Sequence, residues 1–316
     1  LAAAVLARVD AGAERLDRRL DYAAADLLGH APTARARLGQ GLTVVEACEA
    51  AVSLSDNTAA NLLLATLGGP AGLTAWLRRI GDRITRLDRW ELDLNTALVG
   101  DPRDTTTPAA MARTLRTVAL GQTLSSVSRE RLVAWLVASP TGAARLRAGL
   151  PAGWRVGDKT GTGPDETGTS NDVAVLWRPD GSPAVVAAFL TRSTLPGPGR
   201  DAILAEAGRI AGEGLAVRVG DYPFGVFGTP RDFLGAEELL VAFYDLETFV
   251  LVALAMRASL DALRTPGPAP DPHLALGLMM LGLGTFWLIS RRARLGRNFP
   301  ISALGVSYLA FLGIAL

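Results

Sequence analysis

The spacing of apolar and polar positions divides the chain into three stretches. Residues 1 to about 150 carry apolar positions at helical spacing, interrupted by helix-ending and helix-starting residues. Leu1–Asp10 reads as a buried helix closed by Gly12. Thr43 and Glu46, ahead of an apolar run, form a capping-box pattern. Pro70 after Gly68-Gly69 opens a helix that Gly81 closes, Thr107-Pro108 begins another, and Ser128 is expected to cap one running to about Ala138. Between Arg86 and Thr106 no period survives, and a loop of that length inside a compact domain is usually functional.

From Trp154 the pattern changes to strand type. Arg155–Lys159, Asp172–Trp177 and Ala184–Thr191 predict three strands, with Pro179-Asp180-Gly181-Ser182 as a hairpin turn and Arg200–Glu213 as a helix. Three strands and one helix make half a layer, so the sheet is expected to be incomplete, with its partners upstream of Leu1. A chain that opens inside a core helix reads as a fragment.

After Leu215 the character shifts again. Leu274–Ser290 and Phe299–Leu316 are nearly all apolar and approach the length of a membrane span. The basic run Arg291–Arg297 lies between them, and the Pro/Gly-rich stretch Thr265–Pro272 precedes them as a linker. Glu237–Met256 is also apolar but carries Glu237, Glu238, Asp245 and Glu247; acids at a span's centre cost about 2.5–3.5 kcal/mol each, which argues against its crossing a membrane. The expectation is a globular domain over 1–215 and a membrane-associated helical region over 216–316.

Composition excludes several chemistries. The net charge of +1 and the lack of a basic, aromatic patch leave no case for nucleic acid. Cys48 is the single cysteine, so no intrachain disulfide forms, and its apolar setting reads as a buried thiol. His30 and His273 stand in unrelated contexts, which removes the usual parts of a zinc site or a Ser-His-Asp triad; no metal or organic cofactor is expected. The mean hydropathy of +0.25 reflects mainly the last hundred residues.

One basic position stands apart. Lys159, in Gly157-Asp158-Lys159-Thr160-Gly161-Thr162-Gly163, is the only lysine in a chain with 32 Lys and Arg. A compact ammonium with rotatable donors is not replaced by a planar guanidinium. Three further features accompany it. Ser55-Asp56-Asn57 precedes a helix, where Ser or Asp is by default an N-cap. Glu91 and Asn95 lie in the long loop, where an acid is by default solvated. Lys159-Thr160-Gly161 falls where a strand ends, and is by default a strand-to-turn sequence.

Jointly, in this order and spacing, these residues resemble the class A serine β-lactamases, members of the penicillin-recognising enzymes. The resemblance also takes in Leu54–Asn61, Arg86–Glu91 and Arg103–Pro108, and covers about Leu1 to Leu215. It implies an all-helical part and an α/β part with the site between them. It further implies a β-lactam substrate opened through a serine acyl-enzyme, a monomeric lactamase domain and a location outside the cytoplasm. On this resemblance Ser55 relays a proton to the departing lactam nitrogen with help from Lys159. Asn57 holds the antibiotic's amide, Thr160 binds its carboxylate, and Thr162 N–H supplies an oxyanion donor beyond Gly161. Arg145 occupies a position where some relatives bind the carboxylate. Glu91 activates the deacylating water, Asn95 orients it, and Arg89 with Asp104 clasps the loop.

The chain departs from the family pattern in one decisive respect. No Ser-x-x-Lys box occurs among its residues, so the nucleophile is missing and these residues alone are expected to be inactive. Two other readings stand beside the hydrolase. One is a membrane-anchored β-lactam sensor, against which the Glu91–Asn95 loop argues. The other is a non-enzymatic membrane protein joined to a lactamase remnant.

Overall fold

The alanine-rich start of the chain forms α1 (Ala2–Asp10), with Ala4, Val5 and Leu6 fully buried. The computed structural model describes residues 1–216 and the backbone strands at 218–219, 222–223, 238–244 and 249–254, with side chains as far as residue 213. After α1 come β1 (Arg19–Leu20), α2 (Pro32–Ala36) and β2 (Leu42–Thr43), the two short strands pairing antiparallel. Then follow α3 (Val44–Ser53), α4 (Asn57–Thr66), α5 (Gly69–Arg79), α6 (Pro108–Ala119), α7 (Ser126–Ala138) and α8 (Leu146–Gly149). One apolar core joins these helices: Leu6, Val44, Leu63 and Leu136 lie in it, and Val175, Val185 and Ala187 of the sheet close it from one side.

The helix starts follow from local chemistry. At α3, Thr43 Oγ1 accepts from Glu46 N at 3.3 Å, while Glu46 accepts from Thr43 N at 2.8 Å, so two orphan donors are satisfied reciprocally. Thr107 caps α6 through Ala110 N. At α7 the cap is Ser125, not Ser128: Ser125 Oγ accepts from Ser128 N at 3.2 Å. Two serines three apart offer the same cap signal. Ser128 is instead inside the helix and donates to Asp10 at 2.6 Å, pinning α7 to the end of α1.

β3 (Arg155–Thr162), β4 (Ser170–Trp177) and β5 (Pro183–Thr191) form the expected antiparallel meander, with Lys159 opposite Val173 and Val173 opposite Ala187. α9 (Gly197–Ala216) packs on β4 and β5, while α6 meets β5 and α7 meets β3. A short ribbon of β6 (Arg218–Val219) and β7 (Tyr222–Pro223) follows. Beyond it the sheet is larger than expected. β8 (Glu238–Tyr244) pairs antiparallel with β5, and β9 (Phe249–Leu254) pairs with β8, giving a five-stranded sheet ordered β3-β4-β5-β8-β9.

Two expectations are thereby corrected. Beyond β5 the described sheet is extended by the downstream strands β8 and β9, which the three-strand expectation left out, and the described part of the region after 216 is strand, not helix. The reason is that β5 would otherwise present a row of unpaired backbone groups, which the apolar, strand-forming runs Glu238–Tyr244 and Phe249–Leu254 satisfy. The compact unit holding these strands runs Leu1–Met256. Among the described residues no helix is long and apolar enough to cross a membrane. The expected spans Leu274–Ser290 and Phe299–Leu316, the basic run between them and the linker Thr265–Pro272 lie outside the described residues.

α8 and α9 touch backbone to backbone. A Cβ on Gly149 would lie 1.7 Å from Ala205 O, and one on Gly208 would lie 2.1 Å from Leu146 O. Both must be glycine for the helices to approach this closely. Gly208→Ala should therefore destabilise the chain by about 1–3 kcal/mol, read as a lower midpoint in urea unfolding. Gly197→Ala, with open space around the new methyl, is the near-neutral control.

Candidate active site

The helical part and the sheet meet at the turn between α3 and α4. Asp56, not Ser55, is the N-cap of α4: its fully buried carboxylate accepts from Ala59 N, Thr33 N and Ala34 N, each at 2.9 Å. His30 adds two more anchors, Nε2 contacting Leu54 O and its carbonyl accepting from Asn57 N, each at 2.9 Å. These bonds hold Ser55 at φ +54°, a left-handed conformation that costs a non-glycine residue about 1–3 kcal/mol. With Asp56 doing the capping, the Ser55 hydroxyl is released from that duty and faces the sheet.

There it meets Lys159. The Lys159 Nζ donates to Ser55 Oγ at 2.5 Å and to the carbonyl of Thr160 at 2.8 Å, which uses two of its three N–H groups. Burial pulls the amine down to about 8, against the attraction of the Asp172, Glu91 and Asp158 carboxylates. Arg145 nearby pushes in the same direction as burial. Among the described strands β3 lies at the edge of the sheet and pairs with β4 alone, so half of its backbone groups point away from β4.

The long loop brings the acid. Asn61, on α4, grips the Glu91 backbone with its whole amide: Glu91 N donates to Oδ1 and Nδ2 donates to Glu91 O, each at 3.0 Å. The Glu91 carboxylate accepts from Asn95 Nδ2 at 2.6 Å. Burial raises its pKa, while the Asn95 bond and the Lys159 charge pull the other way. The loop is closed by Arg89 and Asp104, with Nε 2.5 Å from Oδ2 and the same carboxylate accepting from the Asp88 and Arg89 amides. Only 2 % of the Asp104 side chain is exposed, so deleting Arg89 would strand a buried charge at a cost of about 3–5 kcal/mol.

A cavity of about 460 Å³ collects these groups. Ser55, Asn57, Glu91 and Lys159 all line it, and it runs past Trp76 and Leu115 to Leu1 at the start of α1. Thr160, Gly161, Thr162 and Arg145 are placed differently. Thr160 Oγ1 donates to Thr141 Oγ1 at 2.9 Å. The Arg145 guanidinium is committed: Nε to Asp201, Nη1 to the carbonyls of Gly161 and Asn171, each at 2.8 Å, and Nη2 to Thr162 Oγ1 at 2.7 Å. Arg145 thus braces the end of β3 instead of projecting into the cavity. Among the described residues no group of side chains could hold a metal ion.

Sequence reasoning missed two features. Asn61 stood inside the quoted Ser-Asp-Asn stretch, but nothing in a linear pattern says that it holds a loop thirty residues away. The second is a pair of fully buried acids on β3 and β4. Asp158 is ion-paired with Arg147, and Asp172 accepts from Leu146 N at 3.1 Å. Asp158 Oδ2 and Asp172 Oδ1 are buried without a hydrogen-bond partner. Burial and the charge of Asp158 push Asp172 up to about 8, and Asp158 is raised as well.

Comparison with known proteins gives this geometry a family. A profile of the Beta-lactamase enzyme family matches residues 1–215. The chain is 51% identical over 199 residues to Beta-lactamase AST-1 of Nocardia asteroides, covering 63% of this chain and 64% of that protein. It thus spans just under two thirds of that relative's length. Among solved structures, an ancestral class A β-lactamase superposes with a TM-score of 0.64 at 64% identity, over 66% of this chain and 79% of the other. The putative class A β-lactamase PenP from Rhodopseudomonas palustris does so at 0.64 and 55%, with the same coverage. The chain belongs to the β-lactamase enzyme family, and within it to class A.

Two measurements test the electrostatics. Because Lys159 is the only lysine, ¹³Cε-lysine labelling should give a single NMR resonance, and its titration midpoint should fall near 8. For Asp172 the folded pKa lies above the unfolded one, so its contribution to stability is full below about pH 4 and is lost as pH rises through about 8. Asp172→Asn should flatten the fall in stability over that window, seen in urea midpoints measured from pH 4 to 8.

Proposed function

We propose that this domain hydrolyses β-lactams through a serine acyl-enzyme, and that Glu91 is the base of the deacylation step. The observation that carries the reading is the Glu91–Asn95 pair. A half-buried carboxylate with a raised pKa lies on a clasped loop, 2.6 Å from an amide that can orient a water, and borders the same cavity as Ser55 and Lys159. A general base works best with a pKa brought toward the operating pH, and burial moves Glu91 in that direction. A sensor gains from a stable acyl-enzyme and has no use for this pair, so the geometry favours a hydrolase.

In this reading Ser55 passes a proton to the departing ring nitrogen through its 2.5 Å contact with Lys159, and the ammonium attracts the substrate carboxylate. Thr160 adds a hydroxyl to that carboxylate. Asn57 holds the acylamide, and the Thr162 N–H contributes to the oxyanion hole. Arg145 acts at one remove, by fixing Gly161 and Thr162. No metal or organic cofactor takes part. The domain would act as a monomer outside the cytoplasm, with 274–290 and 299–316 as membrane spans and the arginines between them on the cytoplasmic side.

No Ser-x-x-Lys box occurs among the 316 residues, so rapid turnover needs a nucleophile from outside them. In a chain extended ahead of Leu1 with a helical segment bearing such a box, nitrocefin should be hydrolysed. Glu91→Gln in that chain should slow deacylation by about 10²–10⁴-fold and leave acylation nearly unchanged. Penicillin would then accumulate as a covalent adduct in the mass spectrum. Unchanged turnover in Glu91→Gln, with no adduct, would remove Glu91 from the deacylation step.

A further inference from the structure

We propose that Ser139 and Thr141 set how strongly this site selects a carboxylate, by holding the Thr160 hydroxyl proton away from it. The inference rests on the reading in which Thr160 meets the carboxylate of a β-lactam. It adds two residues to which that reading gives no part.

The geometry starts from the alternation along β3. Lys159 and Thr160 point to opposite faces of the strand, so the amine borders the cavity while the Thr160 hydroxyl lies against the segment joining α7 and α8. There Thr160 Oγ1 donates to Thr141 Oγ1 at 2.9 Å, and Thr141 Oγ1 lies 3.0 Å from Ser139 Oγ. Ser139 is the buried C-cap of α7. Gly142 keeps the segment close to the strand, packed on Asp158 so tightly that a Cβ there would lie 1.4 Å from Oδ2. Thr141 therefore cannot back away from Thr160.

Three hydroxyls in a row carry three protons and have two gaps to fill. Thr160 donates across the first gap, and Thr141 can donate across the second to Ser139. The chain then runs inward, and oxygen lone pairs rather than a proton face outward from Thr160. A carboxylate only accepts, so it gains nothing from Thr160 until that hydroxyl turns. Turning gives up the bond to Thr141, whose own proton is engaged by Ser139 and does not come back in exchange. One neutral hydrogen bond is lost, equivalent to about two- to tenfold in affinity.

Thr162, two positions on along the same face, is arranged the other way. Its Oγ1 accepts from Arg145 Nη2 at 2.7 Å, so its own proton is not needed there. The two hydroxyls at the end of β3 thus differ in what they offer a ligand: Thr162 has a proton to give, and Thr160 has one only if Thr141 lets it go. A methyl ester, a neutral and weaker acceptor than a carboxylate, draws less on that proton. Ser139 and Thr141 therefore act on the preference for acid over ester, through Thr160, as positioning residues.

The test titrates benzylpenicillin and its methyl ester into the full 316-residue chain, with the ¹³Cε resonance of Lys159, the only lysine, as reporter. Thr141→Val removes the acceptor, and Ser139→Ala frees the Thr141 proton to turn back toward Thr160. Each should tighten binding of the acid by about two- to tenfold and change that of the ester by less than about twofold. Thr141→Ser keeps the hydroxyl and should bind both as the parent does. Thermal transitions identify the folded variants, and Ser139→Ala carries the test if Thr141→Val does not fold. Unchanged or weaker binding of the acid in the folded variants would overturn the proposal. So would an equal change for acid and ester, which is what a merely structural role gives. If the parent binds penicillin and the variants match it, only this inference fails. If neither penicillin moves the Lys159 resonance, the β-lactam reading fails with it.

Discussion

Taking the Lys159 ammonium out of water, at the seam between the sheet and the helices, is the constraint from which the rest of the site follows. A charge placed there must be compensated by hydrogen bonds and by opposite charge, or its pKa must fall. Both happen. The Ser55 hydroxyl and the Thr160 carbonyl take two of its donors, three carboxylates surround it, and the amine still ends near 8 because burial is the largest influence. The same contact ties β3 to the turn ahead of α4.

The neighbouring turn and loop are held by hydrogen bonds and an ion pair from side chains beside them. Asp56 takes over the cap of α4, and so a strained Ser55 can turn its hydroxyl outward. Asn61 fixes both backbone groups of Glu91, and Arg89 with Asp104 holds the base of the loop, so an acid in an otherwise irregular segment keeps one position. In each case the structural duty falls to a neighbour of a side chain that borders the cavity.

Behind the sheet edge lies a second economy of charge. Asp158 and Asp172 are both fully buried, yet only Asp158 has an ion-pair partner in Arg147. Burial raises the pKa of both acids, and for Asp172 the charge of Asp158 adds to it. The arrangement is tight enough to dictate a neighbour: a Cβ at Gly142 would lie 1.4 Å from Asp158 Oδ2, so that position must be glycine.

The linear pattern was sufficient for most helices of the first 150 residues, for the β3–β5 meander and for the convergence of Ser55, Lys159 and Glu91 on one cavity. Each is written in local signals: a capping box at Thr43, a change of period at Trp154, a solitary lysine at 159. It was not sufficient where two local signals compete or where a partner is distant. Ser125 and Ser128 carry the same cap signal, and only the contact with Asp10 separates them. Arg145 looks free in a line of residues, but the fold surrounds it with Asp201, two carbonyls and Thr162. The strands Glu238–Tyr244 and Phe249–Leu254 are fixed by the edge of β5, a partner far from them in sequence. Local propensity is a property of a few adjacent residues, whereas a buried charge, a sheet edge and a clasped loop are settled by groups that folding brings together from far along the chain.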